Sequence, residues 1–178
     1  MVLGDGGVIL IDAGSLAGSA SGGSGGESVE VAGYCNDLRN DADPVTLSYV
    51  SEEPPLAIGG TPVQGRYHMT RFELFTGVDG PTSGETWDWA RRIIITMLED
   101  GSAEMASMEG ELDELLAYQW NETLTFDGNS FTSTPTCHTR VVSIFDSAGL
   151  YSAIADQLVF MIPAPERAGT WVFTYTLQ

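Results

Sequence analysis

The sequence contains no lysine, and its seven basic residues are all arginines, set against 25 acidic residues. The lack of lysine excludes Schiff-base chemistry and the phosphate-binding lysine of a P-loop. The formal net charge of −18 at pH 7 repels phosphate groups, so neither nucleic acid nor an anionic membrane surface is expected as a partner. The acidity indicates a well-solvated, self-repelling surface. The more specific alternative is that the acidic residues bind calcium or a basic partner.

Long apolar runs and metal-ligand motifs are also scarce. The longest apolar run near the start, Val8–Ile11, is too short to span a bilayer and lacks the preceding basic residues of a signal peptide. The two histidines, His68 and His138, show no zinc-ligand spacing, and each suits a strand. We therefore predict no transmembrane segment, no cofactor and no transition-metal site.

Cysteine is limited to Cys35 and Cys137. In an extracytoplasmic protein, an even count of two favours one disulfide, which would tie the start of the domain to its far half. Two buried thiols are the alternative. The disulfide interpretation predicts an extracytoplasmic location, either secreted or on the cell surface.

The first 28 residues differ from the rest of the chain. Residues 15–28 read SLAGSASGGSGGES, which is the composition of a flexible linker. Ahead of it, Val8, Ile9, Leu10 and Ile11 form a short strand pattern within the glycine-bounded segment 7–14. We predict a strand and linker over residues 1–28 and a single β-barrel-like domain over residues 29–178.

Most of the chain from residue 45 onward is patterned as strands separated by turn signals. Asp100-Gly101 and Asp127-Gly128 are typical of hairpin turns. One short helix is predicted over Glu109–Trp120, where leucines recur near helical spacing. The predicted strands are Val45–Val50, Arg66–Thr76, Trp87–Glu99, Ala103–Met108, Thr123–Phe126, Ser130–Thr134, Thr139–Phe145, Leu150–Ile162 and Thr170–Leu177.

This pattern predicts a mainly β fold, either an antiparallel barrel or a sandwich. About eight strands suit a closed up-and-down barrel. The barrel is preferred because the long, alternating last strand can pair with the first and remove both sheet edges.

Two stretches carry a resemblance to a known group of proteins. They are Gly65–Gly77 (GRYHMTRFELFTG) and the ending formed by Gln157–Phe160 with Phe173–Gln178. With the N-terminal tether, these resemble uncharacterised bacterial extracytoplasmic lipoproteins that have a lipocalin-like β-barrel. The resemblance covers residues 60–178, and it implies a location and a fold rather than a chemistry. No cysteine precedes Cys35 to carry a lipid.

Aromatic residues supply the candidate ligand pocket. Trp87 and Trp89 point to the same side of one predicted strand. The pocket comprises Tyr67, Phe72, Phe75, Trp87 and Trp89. Inside a barrel these side chains would bind a small apolar ligand, and an ordinary aromatic core is the alternative.

Acidic residues supply two weaker candidates. Asp37, Asp41 and Asp43 form a calcium candidate, although their loop lacks the glycine and the final glutamate of a calcium-binding loop. Four carboxylates within residues 109–114 could serve a hydrolase, but at helical spacing they would form a solvated face.

The chain is therefore expected to be a non-catalytic structural or interaction protein. Copies of itself are the expected partners, since residues 7–14 could add as a donor strand to a neighbouring subunit and build filaments. Alternatively, that segment folds back on its own domain or acts as a spacer. The alternative function is a lipocalin-like module that binds a small apolar ligand in the barrel.

Overall fold

The computed structural model describes residues 35–110, 118–139 and 148–178. The predicted strand at Val8–Ile11, the linker and the domain boundary at residue 28 lie outside these ranges and stay predictions. The described strands are β1 (Val45–Thr46), β2 (Ser48–Val50), β3 (Gly65–Phe75), β4 (Asp88–Trp89), β5 (Arg91–Met97), β6 (Ala103–Glu109), β7 (Tyr118–Asp127), β8 (Ser130–His138), β9 (Ala148–Ile154), β10 (Gln157–Ala164) and β11 (Gly169–Leu177).

Eight of these strands, β3 and β5 to β11, pair antiparallel in chain order. The last strand then pairs antiparallel with the first of the eight, from Thr170 opposite Phe75 to Leu177 opposite Tyr67. Each of the eight strands therefore has a partner on both sides. The mainly β prediction is confirmed.

The large sheet is mixed rather than purely antiparallel, because β2 pairs parallel with the C-terminal end of β3. The irregular connection over residues 51–64 makes this arrangement possible, since it carries the chain back to start β3 in the same direction as β2. A separate two-stranded sheet joins β1 to β4.

Turn glycines explain two of the hairpins. Gly101 and Gly128 have φ values of +85° and +61°, a conformation that glycine adopts without steric cost. Both predicted turns are confirmed. The predicted single strand Leu150–Ile162 is wrong, because β9 and β10 are separated by a turn at Ala155, with φ of +53°. A non-glycine residue at such a φ is uncommon, so the sequence carried no turn signal there.

The predicted helix over Glu109–Trp120 is wrong at both ends. Strand β6 continues to Glu109, and β7 begins at Tyr118; residues 111–117 lie outside the described ranges. Glu109 pairs with Tyr118 across the two strands, so both residues belong to strands and not to the predicted helix. The single helical turn in the described chain is a 3-10 turn at residues 165–167, and no described helix is long and apolar enough to cross a membrane.

Alternation places large apolar side chains on the inner face of the strands. The predicted alternation of β11 is confirmed, with Phe173 and Tyr175 buried in the main core beside Phe72 of β3. A smaller cluster forms on the outer side, where Ala57 packs with Met161 and Val172. The connection over residues 51–64 thus covers part of the outer face of β10 and β11.

The predicted disulfide between Cys35 and Cys137 is confirmed, with a Cα–Cα distance of 5.6 Å. It holds the start of the described chain against the outer side of the sheet. There the amide of Asn36 donates to the carbonyls of Ser107 and Trp120, at 3.2 and 3.3 Å. This segment therefore straps β6, β7 and β8 together.

Candidate functional site

Three of the five predicted pocket residues come together in the structure. The Phe72 ring lies 6.0 Å from that of Trp87 and 5.0 Å from that of Trp89. Trp171 and Phe173 of β11 join them, at 5.3 and 5.1 Å from Phe72. The two β11 rings were missing from the predicted pocket, although their alternation in the last strand was visible in the sequence.

The other two predicted pocket residues lie elsewhere. Tyr67 is 1% exposed in the main core, where its hydroxyl donates to the carbonyl of Val63 at 2.6 Å. Phe75 packs against the outer cluster of Ala57, Met161 and Val172. It faces away from Phe72 because the two residues are three positions apart on a strand of period two.

We call the closed series of pairings among β3 and β5 to β11 the strand ring. A small cavity of about 20 Å³ lies on its inner side. Its polar lining consists of Arg91, Glu122, Ser133 and Tyr175, and the rest is apolar. A cavity of this size accommodates about one water molecule. Ligand pockets are usually above about 300 Å³, so the described side chains around this cavity leave much less space than such a pocket.

Two buried charged side chains, Arg91 and Glu122, line this cavity. Arg91 is 4% exposed, and its guanidinium lies over the Trp120 ring at 4.7 Å and near the Tyr175 ring at 5.7 Å. Glu122 accepts a hydrogen bond of 2.6 Å from the Trp120 indole and another from the Ser133 hydroxyl. These bonds compensate the burial of the carboxylate.

Two further inward-facing side chains, Glu109 and Tyr175, have raised pKa values. Burial raises the pKa of Glu109 to about 7, against the opposing effects of Arg91 and of a hydrogen bond from Trp89. Burial also raises the pKa of Tyr175, whose hydroxyl has no hydrogen-bond partner among the described residues. The sequence held one signal for these buried polar residues. Arg91 precedes Ile93 and Ile95 at alternate positions of β5, so it shares their inward face.

One residue of the calcium candidate, Asp41, forms ion pairs in the structure. The Asp41 carboxylate lies 3.0 Å from Arg92 Nη1 and 3.0 Å from His68 Nε2. Partial desolvation alone would raise the pKa of Asp41, but Arg92 and His68 outweigh it and hold that pKa below its usual value. Within residues 35–110, 118–139 and 148–178, no group of three acidic, histidine or cysteine side chains is placed to hold a metal ion.

Comparison with protein-family models, with curated proteins and with solved structures finds no match to this chain. Functional inference therefore depends on the geometry of the chain itself.

Proposed function

We propose that this chain is a non-catalytic, extracytoplasmic structural or interaction protein that acts through its outer surface. One observation carries the proposal: the cavity lined by Arg91, Glu122, Ser133 and Tyr175 is about 20 Å³, too small for a small-molecule substrate or ligand. Among the described residues, side chains fill this part of the interior, so we infer that recognition takes place on the exterior.

The proposed architecture is a lipocalin-like up-and-down barrel. Its support is the ring of pairings among β3 and β5 to β11. Eight strands enclose an interior just wide enough for side chains to fill, which agrees with the small cavity. Closure would also leave no edge of the ring open to unintended strand pairing.

The extracytoplasmic location is supported by the disulfide, since such bonds persist mainly in oxidising compartments. Cys35 and Cys137 are 102 positions apart. In the loop-entropy model, a crosslink over that separation stabilises the fold by about 4–5 kcal/mol.

The absence of catalysis is proposed from the state of the buried carboxylates. Glu122 is 3% exposed and accepts hydrogen bonds from Trp120 and Ser133. A catalytic carboxylate must reach a proton of its substrate, whereas each of the two Glu122 carboxylate oxygens already accepts a hydrogen bond from another side chain. The hydrolase hypothesis placed its other carboxylates within residues 111–114, outside the described residues.

An apolar-dye titration tests the filled interior against the ligand-binding alternative. We expect no saturable binding of a neutral, environment-sensitive dye such as Nile red to the wild-type chain. Phe160 lines the cavity, and Phe160→Ala enlarges it, so this variant is a positive control that should bind the dye. Saturable binding of one dye per wild-type chain would overturn the proposal in favour of the lipocalin-type function.

Self-assembly through residues 7–14 is part of the proposal, supported by the apolar strand pattern of Val8–Ile11 and the reach of the linker. Negative-stain electron microscopy of the full chain beside a chain starting at Ser28 tests it. Filaments from the full chain alone would support donor-strand addition. Single particles from both would mean that the module interacts without assembling into filaments.

A further inference from the structure

A partly exposed aromatic surface lies where β11 begins and where the chain enters β4. The rings of Trp87 and Trp171 meet edge to face at 6.2 Å, and both are half-buried. Each also packs on the buried ring of Phe72, at 6.0 and 5.3 Å. The two indoles are therefore held by the core.

This surface already holds a cation. The guanidinium of Arg167 lies over the Trp87 ring at 5.4 Å. Its Nη2 is 3.7 Å from the carboxylate of Glu85, whose side chain is 78% exposed. Glu166 accepts a hydrogen bond of 3.2 Å from the Trp171 indole. We name Glu85, Trp87, Glu166, Arg167 and Trp171 the Trp87 site.

The internal cation is weakly held. At 3.7 Å the ion pair between Arg167 and Glu85 is longer than a direct hydrogen bond, and exposed ion pairs contribute about 0–1 kcal/mol. The Arg167 side chain is 33% exposed, so solvent reaches it where it lies over the ring. A second guanidinium could replace it at little cost.

We propose that the Trp87 site binds an arginine side chain of a basic partner protein, which takes the place of Arg167 over Trp87. A planar guanidinium stacks on an indole and pairs with carboxylates in one geometry, which a lysine ammonium does less well. The net charge of −18 attracts a basic partner. This inference rests on the proposed function as an interaction protein and names its surface and partner chemistry.

A peptide titration tests the proposal on the full, disulfide-bonded chain. The probe is a short peptide that carries arginine, compared with the same peptide carrying neutral citrulline in place of each arginine. We expect saturable binding of the arginine peptide, followed by tryptophan fluorescence and calorimetry. Equal binding of both peptides would overturn the proposal.

Site variants locate the binding. Trp87→Ala should weaken it by about tenfold, because the stacking surface is lost. Arg167→Ala should tighten it by about threefold, since it removes the internal competitor at the cost of a modest cation–π contact. An unchanged or weaker affinity in Arg167→Ala would contradict the exchange of one guanidinium for another.

A charge-matched pair separates the site from general attraction to an acidic surface. Glu85→Gln should weaken binding by about threefold. Glu104→Gln makes the same charge change on an exposed residue at the other end of the β5–β6 pair and should leave affinity unchanged. Equal losses in both variants would mean general electrostatic attraction and would overturn the site.

The result is distinguishable from failure of the proposed function. Saturable dye binding to the wild-type chain would contradict the proposed function, but it would not change the result of the peptide titration. If gel filtration of the wild-type chain showed a dimer that Trp87→Ala abolished, the arginine would come from a second copy, and the foreign-partner proposal would be wrong.

Discussion

The inside of the strand ring has two regions of opposite character. One is apolar, with Ile93, Ile95, Leu124 and Leu158 each fully buried. The other is ionisable: Arg91, Glu122 and Tyr175 line the small cavity, and Glu109 interacts electrostatically with Arg91 and Tyr175.

The same alternation of strand residues builds both regions, because position on a strand decides the face and not the chemistry of the side chain. The apolar region gains its stability from area removed from water. The ionisable region depends on partners that offset desolvation.

The largest expected effect is in the aromatic part of the apolar region. Phe72→Ala should lower the free energy of unfolding by about 3–5 kcal/mol, since it removes a ring that is 1% exposed and contacts four other rings. Urea denaturation measures the change. Phe75→Ala, in the same strand but on the outer face, is the matched control and should cost clearly less. Equal losses would contradict the assignment of the two faces.

Arg91→Leu tests whether the ionisable region depends on its cation. The substitution leaves the buried carboxyl groups without the guanidinium. Removing one partner of a buried ion pair typically lowers the free energy of unfolding by about 3–5 kcal/mol. We expect a loss of about 3 kcal/mol in urea denaturation near neutral pH. A gain in stability would instead mean that well-packed apolar residues suit this region better.

Glu109 should make stability depend on pH. Its folded-state pKa of about 7 lies above the ordinary value of 4.5, so the folded state holds the proton more tightly than the unfolded state. The stabilisation is present below about pH 4.5 and is lost as the pH rises through about 7, by at most about 3 kcal/mol. Glu109→Gln should therefore reduce the difference in unfolding free energy between about pH 5 and pH 8. Glu104→Gln, an exposed residue of the same strand, should leave the wild-type difference in place.

The smallest expected effect is at the orphan hydroxyl of Tyr175. Tyr175→Phe removes a buried O–H group that has no partner among the described residues. We expect stability to rise by about 1 kcal/mol, because the desolvation penalty disappears while the ring stays. A loss of similar size would indicate that a water in the cavity bonds to this hydroxyl.

Local sequence signals predicted much of the fold. Turn glycines at 101 and 128 ended strands where the structure ends them, and the alternation of β11 identified its inner face. Local signals failed at Ala155, where a non-glycine turn divides the predicted strand Leu150–Ile162. They also failed at Glu109 and Tyr118, which were predicted to be helical and instead pair with each other as strand residues.

The candidate site was harder to predict than the fold. Trp87, Trp89 and Phe72 were chosen as aromatic residues of predicted strands, and they do meet. Phe75 was misplaced because a single strand pattern does not reveal which face turns inward when a loop covers the other face.

By itself, the sequence determined the mainly β class, the acidic surface without lysine and the two cysteines that form the disulfide. These properties depend on composition, on local strand and turn patterns and on the presence of two cysteines only. Only the tertiary structure decided the register of β11 against β3, the contact of Arg91 with Trp120 and Tyr175, and the position of Arg167 over Trp87. Strand registers and side-chain packing bring these groups together, and the burial that sets their energies exists only in the folded chain.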